Sequence, residues 1–300
     1  MLLVVTHRTT LALALLCMVA PGCARFAKRS TVAELERARQ LTFAGMTHGQ
    51  KEQWTEAEGY YRQAVEACPQ DERAHALLAE ALWQKGDFKA AIEQQQQTVV
   101  RSGGGPQQHT RLGEMLLSMG KTDDALAQAD LALEKDRQLV SSWNLKGSVL
   151  VSQNRIDDAL SCYHRSLSID EGQIEVHENV AFIYERMGRP QRALATWYAV
   201  EELYPPDQIP SSVLYREAMA MRRLNRGRKA MDLLQVAYAQ TPDAPEVIVA
   251  LAELQYEFGD PVNAQMTLAQ GQKQFPSHPE VIRLSRSWAN ATDRETQLIR

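Results

Sequence analysis

Three histidines recur at a regular interval, which could place their side chains together as metal ligands. His75 and His109 lie 34 residues apart, and His177 follows after a further 68 residues. Imidazole is a common ligand of zinc and other transition ions. However, Trp143 occupies the same place in the interval between them. If the interval is one structural unit, equivalent side chains would be about 20 Å apart, or two helix diameters, and could not share an ion. We therefore interpret this recurring position as one where a side-chain ring packs in the protein, and we predict no metal site.

No other set of side chains has the spacing of a catalytic or cofactor site. The motifs for a dinucleotide loop, a nucleophilic serine turn and a zinc protease helix do not occur. The glycine run SGGGP at 102–106 lacks the Lys-Ser/Thr that a phosphate-binding loop requires, which favours a turn. Cys68 and Cys162 are 94 residues apart and are predicted to be small buried side chains. We predict no catalytic residue, no cofactor and no enzymatic activity.

The first 22 residues have the organisation of an export signal. Arg8 precedes an apolar run of ten residues, 11–20, which is too short to cross a bilayer. Cys23 then follows small residues in the segment APGCAR, which resembles the lipobox of bacterial lipoproteins, although Ala20 and Pro21 are unusual there. The resemblance implies that Cys23 is the lipid attachment residue and that the protein is anchored in the cell envelope, on the periplasmic side of the outer membrane. Ordinary secretory cleavage near Ala24, giving a secreted or periplasmic protein, is the alternative.

The rest of the chain is built on an internal repeat. The segment DDAL occurs at 123–126 and again at 157–160. Aligning on its alanine gives Ala57, Ala91, Ala125, Ala159, Ala193, Ala230 and Ala264, in steps of 34 with one step of 37. Twelve residues before each alanine lies another small residue: Gly45, Ala79, Gly113, Gly147, Ala181, Ala218 or Ala252. A third position, seven residues after each alanine, is also small or β-branched.

This pattern is similar to the tetratricopeptide repeat, a helix-turn-helix unit of 34 residues. The resemblance covers about residues 38–278 as seven repeats. Numbering each repeat so that the alanine series falls at position 20, small residues at positions 8 and 20 let two helices approach closely. Gly86, Gly120, Gly188 and Gly259 suit the left-handed turn between them. One such unit cannot bury its apolar face, so neighbouring units must stack.

The sequence therefore predicts an all-α protein, a right-handed α-solenoid of seven helix-turn-helix repeats with a C-terminal capping helix. The predicted division is a signal peptide at 1–22, a tether at 23–30, the solenoid at 31–278, and the capping helix and tail at 279–300. Thr31 and Glu34 form a capping box that opens the first helix. Val281, Leu284 and Trp288 share one helical stripe and would cover the last repeat.

The resemblance also implies a binding surface, because tetratricopeptide families bind peptides or partner surfaces in a concave groove lined by the first helix of each repeat. Positions 2, 5, 9 and 12 share one face of that helix. The groove candidates are Arg73, Glu80, Trp83, Glu178, Phe182, Tyr215, Met219, Arg222 and Tyr256. Packing of some of these aromatic residues against neighbouring repeats is the alternative. The lysine and asparagine with which chaperone adaptors of this family hold a C-terminal carboxylate are absent from positions 5 and 9.

The balance of charge gives no indication of nucleic-acid binding, since the formal net charge is −4. A basic cluster at 216–229 fits either an anionic partner or a solvated helix end, where cations meet the helix dipole favourably, and we favour the second. We predict a non-catalytic scaffold of the bacterial envelope that binds a protein or peptide in its groove, for assembly of pili, secretion or polysaccharide-export machinery. The alternative is a recruiting subunit of an envelope enzyme complex.

Overall fold

The computed structural model describes residues 31–206 and 208–298. The predicted signal peptide, the tether and Cys23 lie outside these residues. Fifteen α-helices occur within the described ranges. They are α1 (Val32–Gly49), α2 (Trp54–Ala67), α3 (Glu72–Gln84), α4 (Phe88–Arg101), α5 (Pro106–Ser118), α6 (Thr122–Lys135), α7 (Val140–Ser152), α8 (Ile156–Ile169), α9 (Ile174–Arg186), α10 (Pro190–Glu202), α11 (Ser211–Arg223), α12 (Gly227–Gln240), α13 (Pro245–Glu257), α14 (Pro261–Gln274) and α15 (Pro279–Leu298).

The helices pack as seven successive hairpins, from α1 with α2 to α13 with α14, and α15 packs on the last pair. The second helix of each hairpin also packs on the first helix of the next. The prediction of an all-α solenoid of seven repeats with a capping helix is confirmed. Among the described helices, none combines the length and apolar character needed to cross a bilayer.

The small residues lie at the closest approaches between helices, as predicted. All seven alanines of the position-20 series are fully buried. A Cβ atom added to Gly113 at position 8 would lie 3.3 Å from the carbonyl oxygen of Ala125 at position 20, so these two positions face each other. A Cβ atom on Gly45 would lie only 2.5 Å from the ring of Tyr61, so this glycine makes room for an aromatic ring.

The turn inside each repeat contains one residue in the left-handed region of backbone space. The predicted glycines at position 15 have φ between 65° and 84°. Asn154, Asn225 and Glu52 occupy the same position in the other three repeats, with φ of 59°, 57° and 58°. Asparagine tolerates this conformation better than other side chains, whereas glutamate there carries a steric cost. The turn geometry is therefore kept in all seven repeats even where the residue type is not glycine.

Both ends of the described chain are closed in the predicted way. The backbone N–H of Glu34 donates to Thr31 Oγ1 at 3.2 Å, and the N–H of Thr31 donates to Glu34 Oε2 at 2.7 Å, which completes the capping box. At the other end Val281 and Leu284 are buried against Val249 and Leu268 of the last repeat, with Trp288 packed beside them. The apolar face that a terminal repeat would otherwise expose is covered by α15.

Candidate functional site

Two of the recurring histidines, His75 and His177, are held by hydrogen bonds at the seams between repeats. His75 is buried, with Nδ1 2.8 Å from Gln94 Oε1 and Nε2 3.1 Å from the carbonyl oxygen of Pro69. His177 Nε2 lies 3.0 Å from the carbonyl oxygen of Glu171, and Trp143 Nε1 donates to that of Arg137 at 2.9 Å. In all three cases the ring reaches a carbonyl six residues earlier. In these three repeats the ring at position 4 therefore holds the segment that connects its repeat to the preceding one, whereas His109 Nδ1 lies 2.7 Å from Gln128 Oε1 of its own repeat.

Among the residues that the structure describes, no group of three or more His, Cys, Asp or Glu side chains is arranged to hold a metal ion. Cys68 and Cys162 are both buried, as predicted, and burial raises the pKa of the Cys162 thiol.

The predicted groove positions differ in exposure. Arg73 and Tyr256 are exposed, and the other seven candidates are partly exposed. Position 5 departs from the prediction in several repeats, because Thr42, Thr110 and Val249 are buried. The first helices of neighbouring repeats contact each other along this position, and Thr110 Oγ1 lies 2.7 Å from Ser142 Oγ of the next repeat. The groove surface that is open to solvent is consequently narrower than the sequence predicts, because position 5 is buried in these repeats.

Arg111 joins repeats 2 and 3 across the groove surface. Its Nη2 lies 2.6 Å from Glu80 Oε2, and its Nη1 lies 3.0 Å from Glu114 Oε2. The guanidinium carbon is 6.0 Å from the ring centroid of Trp83, and the ring of Phe88 packs edge-on against the same tryptophan at 4.7 Å. Glu80 and Trp83, two of the predicted groove residues, both contact Arg111 of the next repeat.

Arg216 joins repeats 5 and 6 in the same way as Arg111 joins repeats 2 and 3. Its guanidinium carbon lies 4.8 Å from the ring centroid of Phe182 and 5.7 Å from that of Tyr215. Its Nη1 is 3.5 Å from Glu185 Oε2, and the other carboxylate oxygen of Glu185 accepts from Trp197 Nε1 at 2.8 Å. Phe182 and Tyr215 are thus brought together around one cation, which fixes the orientation of both rings.

Arg222 links repeats 6 and 7 through Glu253, at 2.7 Å, and through Glu257. Burial alone would lower the pKa of its guanidinium, but the hydrogen bonds to the two carboxylates outweigh burial, and the pKa is raised. In repeat 5, burial and then the neighbouring charge of Glu175 raise the pKa of Glu178.

The last groove candidates differ in how much surface they offer. Tyr256 is 48% exposed and stacks on Trp288 of α15 at 5.0 Å. Met219 is packed against the core of repeats 5–7. Arg73 Nη2 lies 3.4 Å from the sulfur of Met46 in repeat 1. Of the predicted aromatic anchors, Tyr256 is the most open.

Sequence reasoning missed Arg111 and Arg216 as parts of this surface, because both lie at position 6. A signal was present: the pairs Glu80–Arg111, Glu185–Arg216 and Arg222–Glu253 each join residues 31 apart. Opposite charges at that spacing indicate contacts between first helices of adjacent repeats.

The basic cluster at 216–229 divides into two parts. Arg222 and Arg223 lie in the last turn of α11, where the helix dipole favours cations, as predicted. Arg226, Arg228 and Lys229 instead lie at the start of α12, where the dipole disfavours them. A favourable interaction with the helix dipole, the predicted reason for the cluster, therefore applies only to Arg222 and Arg223.

Sequence models of the tetratricopeptide repeat match residues 44–106 and 110–174 and, separately, residues 222–286, together more than half of the chain. The chain belongs to the tetratricopeptide repeat family. A curated relative, the tetratricopeptide repeat-containing protein trd-1 of Caenorhabditis elegans, is 26% identical over 150 residues, which is 50% of this chain. The match spans only 18% of the length of that relative.

Solved structures with the same fold include PilW, described as a widely conserved type IV pilus biogenesis factor. It is 16% identical, with a TM-score of 0.65 over 71% of this chain and 98% of PilW. A tetratricopeptide repeat protein of Parabacteroides merdae is 12% identical, with a TM-score of 0.59 over 83% of this chain and 97% of its own. YrrB, described as having an unusual peptide-binding site, is 15% identical, with a TM-score of 0.54 over 65% of this chain and 99% of its own. At these identities the similarity shows the fold alone.

Proposed function

We propose that the protein is a non-catalytic scaffold that binds a partner protein, as a peptide or a folded surface, in the groove lined by its first helices. The observation that carries the proposal is the set of aromatic side chains held on that face. Tyr215 and Phe182 are oriented by Arg216, and Tyr256 by Trp288. Rigid aromatic rings that remain partly open to solvent are typical anchors of protein interfaces, because little conformational entropy is lost when a partner covers them.

We further propose that this scaffold acts in the bacterial cell envelope, tethered through a lipid on Cys23. The apolar leader and the segment APGCAR support this part of the proposal. Assembly of pili, secretion or polysaccharide-export machinery is the proposed setting. PilW, which shares the fold, is described as a type IV pilus biogenesis factor, so pilus assembly is the first of these settings to test.

The groove is tested by replacing Tyr215 and Tyr256 together with alanine. Partner proteins cross-linked to the intact protein in membranes are quantified by mass spectrometry. The double variant is expected to recover at least about tenfold less of the partner, since loss of a central aromatic anchor costs about 2 kcal/mol or more.

Tyr198 provides the matched control, because it is 38% exposed but lies on α10, a second helix, away from the groove. Tyr198→Ala should leave partner recovery unchanged. Equal recovery with the wild type and the groove variant, both folded by circular dichroism, would show that the partner binds elsewhere. An enzyme activity that co-purifies with the wild type and is lost from the groove variant would instead favour a recruiting subunit of an enzyme complex.

The tether is tested with a labelled fatty acid in a bacterial host. The wild type should incorporate the label and Cys23→Ser should not. Cys17→Ser removes a cysteine of the leader and should still be labelled. Equal labelling of the wild type and Cys23→Ser would contradict lipidation at Cys23.

A further inference from the structure

A cavity of about 390 Å³ opens at the N-terminal end of the groove, between repeats 1 and 2. Its volume falls within the range of about 300–1,000 Å³ that small-ligand sites occupy. Six residues line it: Arg39, Thr42, Phe43, Met46, Asp71 and Arg73. Four of them lie at repeat positions 2, 5 and 9, so the cavity belongs to the groove face.

The Thr42 side chain supplies an unused hydrogen-bonding group at this cavity. Thr42 is 4% exposed, and its Oγ1 has no hydrogen-bond partner within the described residues. At the same position of repeat 3, Thr110 Oγ1 is 2.9 Å from the carbonyl oxygen of Pro106 and 2.7 Å from Ser142 Oγ. The residue of repeat 2 that corresponds to Ser142 is Ala74, which has no hydroxyl. A buried hydroxyl without a partner costs free energy, which a ligand group bonded to it would recover.

The charge around the cavity is positive. Arg39 and Arg73 are both exposed, and neither guanidinium group has a carboxylate oxygen within 4 Å in the part of the chain that the structure describes. The carboxylate of Asp71 is already engaged, because it accepts from the backbone N–H groups of Arg73 and Ala74 as the cap of α3. The contact of Arg73 Nη2 with the Met46 sulfur, at 3.4 Å, holds this guanidinium at the cavity.

The apolar part of the cavity is open on one side. Phe43 is 72% exposed at position 6. In later repeats the position-6 residue packs on the preceding repeat, as Arg111 does on Trp83 and Arg216 on Phe182. No described helix precedes α1, so Phe43 has no such neighbour among the residues that the structure describes. A partner side chain can occupy the place that the preceding repeat fills elsewhere.

We propose that this cavity binds an acidic segment of the partner protein that carries one bulky apolar side chain. The apolar side chain enters beside Phe43 and Met46, an adjacent carboxylate pairs with Arg39 and Arg73, and a backbone carbonyl accepts from Thr42 Oγ1. This inference rests on the proposed function and adds the chemistry of the ligand at one end of the groove. The residues just before the described chain, ARFAKRS at 24–30, contain three cations and no carboxylate, so their charge does not suit the site.

The probe is a fluorescein-labelled peptide in which a leucine is flanked on each side by two aspartates, and binding to the purified protein is followed by fluorescence anisotropy. Peptides with lysine in place of the aspartates, or glycine in place of the leucine, should each bind at least about tenfold more weakly. Substituting both Arg39→Glu and Arg73→Glu should weaken binding of the acidic peptide by a similar factor at low salt. Arg37→Glu with Lys89→Glu makes the same change in charge at exposed positions outside the cavity and should leave the affinity unchanged.

Thr42→Val distinguishes the loss of one hydrogen bond from a general loss of structure, because it should raise stability while it lowers peptide affinity. It should raise the midpoint of thermal unfolding, because it removes the unpaired hydroxyl, and weaken peptide binding about fivefold, because the ligand loses a hydrogen bond. If Thr42→Val binds the peptide as tightly as the wild type, the Thr42 hydroxyl does not bond to the ligand, and that part of the proposal is wrong.

Equal binding of the acidic and basic peptides, or an unaffected double arginine variant, would overturn the proposal. So would a dimer in sedimentation that the double arginine variant abolishes, since a second copy of the chain would then be the occupant. None of these outcomes affects the cross-linking test with the Tyr215 and Tyr256 variant. A failure at this cavity is therefore distinguishable from a failure of the proposed function.

Discussion

Glu217→Leu is expected to stabilise the protein by about 3 kcal/mol at pH 8 but by about 1 kcal/mol or less at pH 5. Glu217 is 3% exposed, and its Oε2 has no hydrogen-bond partner among the described residues. Burial, reinforced by the nearby Glu201 carboxylate, raises the pKa of Glu217 from its ordinary value of 4.5 to about 7. Above about pH 7 the folded protein therefore carries a buried carboxylate whose ionisation is unfavourable.

The direction of the pH dependence follows from proton binding. The folded carboxyl holds its proton up to about pH 7, whereas the same group in the unfolded chain loses it near pH 4.5. Between these values the folded state binds more protons, so the free energy of unfolding falls as the pH rises. Below pH 4.5 the group is neutral in both states, and ionisation costs nothing.

Leucine is the appropriate replacement because the chain already uses it at this position. Leu78, Leu112 and Leu251 occupy position 7 of repeats 2, 3 and 7, and all three are buried. Thermal and urea unfolding of the wild type and Glu217→Leu should be followed by circular dichroism at pH 5 and pH 8. Glu202→Gln, an exposed carboxylate on α10, should change stability little at either pH. An equal gain from Glu217→Leu at both pH values would attribute the effect to packing, not to ionisation.

The repeat made most of the architecture predictable from sequence. Position 20 is alanine seven times, and the close helix contacts in the structure coincide with that series. The burial of Glu217 was not predicted, because the repeat pattern identifies positions where residue types agree. At position 7 the informative feature is the presence of two charged residues, Lys146 and Glu217, among apolar ones. Lys146 is partly exposed and pairs with Asp130, whereas Glu217 is buried, and its burial depends on how α11 packs on the preceding repeat.

The groove was predicted less completely, for a related reason. Helical spacing defines which residues share a face, but not which of them pack against the neighbouring repeat. In the structure Thr110 at position 5 is buried beside Ser142 of the next repeat, and Arg111 at position 6 pairs with Glu80 of the preceding repeat. These contacts join different repeats, so one repeat considered alone contains no information about them.

Gly147→Ala is expected to destabilise the protein by about 2–3 kcal/mol, the opposite of the usual effect in a helix. Alanine normally stabilises a helix interior by about 1 kcal/mol relative to glycine. At Gly147, however, the added Cβ atom would lie 2.6 Å from Tyr163 Cε1 and 2.9 Å from Cδ1. Tyr163 is 2% exposed, and its hydroxyl lies 3.1 Å from Ser148 Oγ, so the ring has no free space into which to move.

Gly59→Ala is the matched control, because Gly59 lies within α2 and an added Cβ atom would meet nothing within 4 Å. This substitution should stabilise the protein by about 1 kcal/mol. The two glycines share residue type and secondary structure and differ only in what faces them. Their opposite effects, measured by urea unfolding, would separate close packing between helices from helix propensity.

The cause is assigned by combining Gly147→Ala with Tyr163→Leu. Leu234 and Leu268 occupy the position of Tyr163 in repeats 6 and 7, where the residues corresponding to Gly147 are Ala218 and Ala252. In the Tyr163→Leu background, Gly147→Ala should therefore be neutral or stabilising, giving a coupling energy of about 2–3 kcal/mol between the two sites. If Gly147→Ala costs the same in both backgrounds, the tyrosine ring is not what excludes the methyl group. The pairing of glycine with tyrosine across the helices of repeat 4 would then be incidental to its stability.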